Sequence, residues 1–114
     1  MTLDQFKEKL QNNPTAIAFT DTMQIIEDNY TFTPTAFKNG SLDNKEGENS
    51  GSCKLFAFAL KQEFSKEETL ACFGDYYRKD VLQDPEGNGH LNIRNFMLTG
   101  FNGLVFSAEA LIKK

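Results

Sequence analysis

The chain has little of what most functional signatures are built from. Its 114 residues include two cysteines, Cys53 and Cys72, one histidine, His90, and three prolines. Two cysteines are too few for a disulfide framework and lack metal-ligand spacing, so free thiols in a reducing, cytoplasmic compartment are expected. No window approaches the roughly 20 apolar residues that cross a bilayer, which excludes a membrane-spanning helix. The N-terminus has no basic segment leading into an apolar run, so Sec-type export is not expected. Lys and Arg never cluster beyond two in a row and the net charge is −4, so neither nucleic acid nor a membrane surface is an expected partner. Gly-rich phosphate loops, the G-x-S-x-G elbow and zinc motifs are all missing. No metal or cofactor is expected.

What is present is phenylalanine, 11 residues of it, in a chain that is 39% hydrophobic. For 12.9 kDa, mass scaling gives roughly 6,300 Å² of folded surface against roughly 18,700 Å² extended, enough burial for one core without staples. A single domain over residues 1–114 is the expectation. Thr2 and Gln5 form a capping box ahead of Leu3, Phe6 and Leu10, which predicts a first helix. Asn13-Pro14 suits the opening of a second helix carrying the stripe Phe19, Met23, Ile26 and Tyr30. From Thr31 to Phe37 the chain turns extended, and Asn39-Gly40 reads as a two-residue hairpin turn that sets Phe37 opposite Leu42. Residues 43–51 have no apolar member and read as a solvated loop.

Ser50 or Ser52 is then placed to cap a third helix. Cys53, Phe56, Ala57 and Leu60 form one stripe there and Leu55, Phe58 and Ala59 the next, which puts this helix at the centre of the core. Ser65 and Glu68 make a second capping box, opening one helix with Leu70, Phe73, Tyr77 and Val81 on its inner face. A last long helix runs from about His90 to Thr99, burying Ile93, Phe96 and Met97 and stopping at Gly100. Leu104-Val105-Phe106 reads as a short strand, and Ser107 as the cap of a final helical turn holding Leu111. The predicted class is α+β, helix-dominated, with about five helices and a small antiparallel hairpin or sheet.

Four features could carry chemistry. Cys53 lies in the first turn of the third helix, where the dipole favours thiolate, and His90 with Asn92 or Asn95 could supply an oriented base. The plainer alternative is that Cys53 is a small apolar residue of its stripe. Asp84, Glu86, Asn88, Gly89 and Leu91 occupy positions 1, 3, 5, 6 and 8 of an EF-hand template. That match fails at position 12, where Asn95 cannot supply a bidentate carboxylate. Tyr76 and Arg78 have the composition of an interface hot spot, or else Arg78 pairs with a nearby carboxylate. Arg94 could clasp a carboxylate or phosphate, or pair with Asp75 or Asp80.

The segments Phe32–Gly40, Asn49–Ala57, Leu70–Arg78 and Asn92–Met97 together resemble the HopJ type III effector family, over nearly the whole chain. The resemblance implies delivery from a plant-pathogenic bacterium into a host cell and carries no catalytic residue or cofactor onto this sequence. Exported effectors usually begin with an unstructured, Ser-rich leader, whereas Thr2 to Leu10 reads as a capped amphipathic helix, so a cytoplasmic protein is expected. Two functions follow. The first is a non-catalytic, monomeric binding domain for a protein or small ligand, using the polar strip Asn49, Ser50, Ser52, Tyr76, Arg78, His90, Asn92 and Arg94. The second is an enzyme using Cys53 with His90.

Overall fold

Helix α1, Leu3–Asn12, starts where the sequence predicts: Thr2 Oγ1 accepts from the Gln5 amide at 3.1 Å and the Gln5 side chain accepts from the Thr2 amide at 2.9 Å. Phe6 and Leu10 are its buried residues. The computed structural model describes all residues, 1–114. Asn13-Pro14 opens only a single 3-10 turn, Pro14–Ala16, rather than the second helix. Ile17 N–H closes that turn on the Pro14 carbonyl at 3.2 Å, and the Arg78 guanidinium holds the same carbonyl at 3.3 Å and that of Ile17 at 2.6 Å. Helix α2, Phe19–Asn29, begins after it, and Asp21 reaches back to accept from the Ala18 amide at 3.1 Å. Of its expected stripe, Ile26 and Tyr30 are buried and Phe19 and Met23 pack against the core from its edge.

Five short strands, three between α2 and the next helix and two at the C-terminal end, form two antiparallel sheets. Strand β1, Tyr30–Phe32, pairs with β5, Leu111–Lys113; β2, Phe37–Asn39, is flanked by β3, Leu42–Asn44, and β4, Leu104–Phe106. The hairpin register differs from the expected one. The turn is Gly40-Ser41, Asn39 faces Leu42 and Phe37 faces Asn44. Asn39 is fully buried and its amide donates to the Asn92 carbonyl at 2.7 Å, so an interior hydrogen bond outweighs this residue's preference for the turn. The C-terminus is likewise corrected. Leu111, expected in a helical turn capped by Ser107, lies in β5 opposite Phe32, where its fully buried side chain and the ladder with β1 are both satisfied.

Helix α3, Ser50–Gln62, is the centre of the molecule. Its run Leu55–Ala59 is buried throughout, and the Phe56 ring meets those of Phe37, Phe73 and Phe96 at centroid separations of 6.2, 5.4 and 4.9 Å. Burying such a ring contributes roughly 1.5–3 kcal/mol. Leu60, expected in the stripe, is 43% exposed, because the enclosed stretch of α3 ends at Ala59. The folded surface of 6484 Å² agrees with the mass scaling.

Helix α4, Lys66–Ala71, carries the second predicted capping box, with Glu68 N–H donating to Ser65 Oγ at 3.1 Å and Ser65 N–H to Glu68 Oε1 at 2.8 Å. The single helix expected here is broken. Gly74 takes φ +63°, and a Cβ there would stand 2.7 Å from the Phe19 backbone nitrogen. Only glycine allows this close approach, so the chain turns at 72–74 and resumes as a π-helix, Tyr76–Val81. Tyr77 and Val81 still face inward while Tyr76 is 44% exposed. Helix α5, Leu91–Thr99, ends at Gly100 as expected.

Candidate functional site

Helices α3 and α5 begin differently from α1 and α4. Their N-cap residues, Asn49 and His90, have φ of 50° and 55°, in the left-handed region, and neither side chain caps its helix. Neither Ser50 nor Ser52 takes the capping role; the Ser50 hydroxyl donates to the Gly47 carbonyl at 3.4 Å. The loop before α3 is correspondingly shorter than expected, since Asp43 and Asn44 belong to β3 and Ser50 and Gly51 to the helix.

A network of asparagine amides holds the two helix starts together. Asn92 Oδ1 accepts from Asn39 at 3.0 Å and from Asn44 at 3.1 Å, and Asn92 Nδ2 donates back to Asn44 Oδ1 at 3.0 Å. Asn49 Nδ2 donates to the same Asn44 oxygen at 2.7 Å, which ties the cap of α3 to the first turn of α5 through β3. Asn95 adds a bond to the Asn39 carbonyl at 3.0 Å. Asn39, Asn44 and Asn92 are buried, so the bonds among these three are shielded from water, while those from Asn49 and Asn95 are part-buried. Asn39 Oδ1 is the one buried side-chain oxygen left without a partner.

Between the two helix starts and the π-helix lies an open cleft of about 520 Å³. Asn49, Ser52, Tyr76, His90 and Asn92, five of the eight residues of the expected polar strip, line it. Phe19, Phe73 and Asn88 also contribute, and sequence reasoning placed none of them here: the first two read as core, the third as position 5 of the EF-hand template. The Phe19 ring packs edge-on against Tyr76 at 5.2 Å, and Tyr76 lies 5.2 Å from the His90 ring at an interplanar angle of 34°. A Cβ on Gly51 would sit 3.0 Å from Phe19 Cζ, so the glycine lets the first turn of α3 rest on that ring. His90 Nε2 is 3.1 Å from Asp80 Oδ2, a half-exposed pair joining α5 to the π-helix.

The remaining residues of the strip, Ser50, Arg78 and Arg94, do not line this cleft. Ser50 faces away into its loop. Arg78 donates to the Ile17 carbonyl at 2.6 Å and, at longer range, to those of Pro14 and Ala71; its carboxylate neighbour, Asp75, stands 3.8 Å away. This clip anchors the 3-10 turn to the π-helix. Arg94 pairs with neither Asp75 nor Asp80. Its guanidinium donates to the Gly89 carbonyl and, at 2.8 Å, to that of Asp84, so the acidic loop at 84–89 closes around the protein's own cation.

Cys53 is 1% exposed, and its thiol donates to the Thr35 carbonyl at 3.5 Å. Burial pushes its pKa up, against the smaller opposing pull of the Thr35 bond and Lys54. A helix start that would favour thiolate is thus overridden by desolvation. Cys72 is pushed up to about 12, chiefly by burial, with Thr22 opposing and Glu68 adding to the rise. Neither thiol is prepared as a nucleophile, and the hydrogen bonds of Cys53 and His90 go to different partners.

The fold and site define a helix-dominated α+β domain with a polar, aromatic-walled cleft and an unactivated thiol. The chain belongs to the HopJ type III effector protein family, whose model matches residues 3–111. It is also similar to a solved crystal structure described as that of the unknown-function protein VPA0580, at 55% identity and a TM-score of 0.98, covering 100% of this chain and 95% of that one. No curated protein matches the chain significantly.

Proposed function

We propose that this protein is a monomeric, non-catalytic binding domain whose cleft between the starts of α3 and α5 takes a small molecule. The observation that carries the reading is the convergence of two helix starts without side-chain caps on one open space. There the Ser52 hydroxyl and Asn88 amide stand beside the Phe19 and Tyr76 rings. Capping a helix contributes about 1 kcal/mol, and α1 and α4 both use it. Two helices that forgo it at one place leave backbone donors for something else. The buried, raised thiol of Cys53 argues against the cysteine-enzyme alternative. The effector family supports delivery into another cell as the setting of this binding.

The test is an amide-resolved NMR screen of the full chain against a chemically diverse set of small fragments. Shifts clustered at Gly51, Ser52, Asn88 and His90, and abolished by Ser52→Trp, are expected. Absence of shifts, or shifts confined to the groove lined by Leu82 and Leu98, would overturn the reading and leave a protein-docking face as the successor.

A further inference from the structure

We infer that the cleft selects a planar heteroaromatic ring of the nucleobase class; this rests on the cleft being a small-molecule site. Its lining contains no Lys, Arg, Asp or Glu side chain, although the chain carries 12 basic and 16 acidic residues. A ligand held chiefly by ion pairs with side chains does not fit such a wall. The aromatic groups instead form a shelf, with Tyr76 half-exposed between the edge of Phe19 and the tilted ring of His90. A flat ring buries the most apolar surface against a shelf of this kind, and stacking tolerates any π-face.

The polar groups beside that shelf are of mixed type. The Asn88 amide offers a donor and an acceptor in one plane, the Ser52 hydroxyl both functions on one atom, and Asn49 its amide oxygen and the one N–H not given to Asn44. An aliphatic ligand would bury these groups unpaired, which binding disfavours. A nucleobase edge matches them, because neighbouring donors and acceptors in one plane are what a carboxamide pairs with, as Asn does with adenine. The volume of about 520 Å³ falls within the range of small-ligand clefts.

The test uses the full chain and isothermal titration with four probes: adenosine, AMP, benzoate and glucose, each followed by amide shifts. Adenosine is expected to bind and to move Gly51, Ser52, Asn88 and His90. Tyr76→Ala should weaken it about tenfold or more, while Tyr76→Phe, which keeps the ring, stays within about threefold of the parent. Tyr76 is exposed enough that both variants are expected to fold, with the melting temperature as the check. AMP binding more tightly than adenosine would add the helix starts as a phosphate contact, and equal affinity would assign recognition to the base alone; both support the class. Binding of benzoate or glucose in the cleft without adenosine, no probe binding where fragments do, or adenosine affinity indifferent to Tyr76→Ala would overturn the class and leave the cleft standing. Failure of the fragments themselves to reach the cleft would instead overturn the underlying reading.

Discussion

Helices α1 and α4 close their own N-termini; helices α3 and α5 do not. The first pair begins at Thr2 and Ser65 in extended conformation, each with a reciprocal bond to a residue three positions on. The second begins at Asn49 and His90 in left-handed conformation, with the caps' side chains turned to Asn44 and Asp80 instead. A non-glycine residue in that region costs about 1–2 kcal/mol, so the second pair is held from outside. The two closed starts take no part in the cleft, and the two open ones form its rim. Local sequence chemistry is enough to finish a helix, and leaving one unfinished takes tertiary support.

The largest effect should come from removing that support. Asn92→Leu strips the shared side-chain partner from Asn39 and Asn44, which keep only the residue-92 carbonyl, the Phe37 carbonyl and the Asn49 amide, and this should cost about 1–3 kcal/mol in urea unfolding. Amide shifts should spread to Asn49 and Ser52, across the cleft from the substitution. If those two stay unmoved, the two helix starts are not coupled.

Alkaline pH separates the dipole of an open start from burial at the same place. Both thiols have folded pKa values above that of the unfolded chain, so the folded state holds more protons once pH exceeds about 8.5. Their contribution is complete below that point and is lost as pH rises, at up to about 1.4 kcal/mol per pH unit for Cys72. The variant Cys72→Ala should flatten the fall in unfolding free energy between pH 9 and 10. At neutral pH iodoacetamide should alkylate native Cys53 more slowly than a model thiol. Fast alkylation would mean that the open start of α3 does activate its cysteine.

The smallest effects compare the caps directly. Ser65→Ala should destabilise by about 1 kcal/mol. His90→Gly relieves the left-handed strain while losing a half-exposed pair with Asp80, so it should stay within about 1 kcal/mol of the parent on either side. Thermal unfolding of the two variants side by side decides it. A His90→Gly loss larger than that of Ser65→Ala would show that Asp80 and Tyr76, more than the asparagine network, hold the start of α5.

The elements that were legible are those whose signals are local. Both capping boxes, the fully apolar middle of α3, the end of α5 at Gly100 and the strand at Leu104 were readable because each depends on residues within about four positions. The misreadings share one cause. Asn39 looks like a turn residue, Pro14 like a helix start and Leu111 like part of a helix; each was reassigned by a partner far along the chain, namely Asn92, Arg78 and β1. The polar strip was legible as composition. Its division into five residues that line the cleft and three outside it was not, because it turns on where Arg78 and Arg94 find carbonyls.

By itself the order of residues determined the class, the central helix and the self-capped starts, since hydrophobic spacing and side-chain bonds within one turn act whether or not the rest of the chain is present. The tertiary structure alone decided the register of the hairpin, the break at Gly74 and the cleft. Those depend on buried amides and a glycine contact between segments more than 40 residues apart in the chain, and such contacts exist only once the core has brought them together.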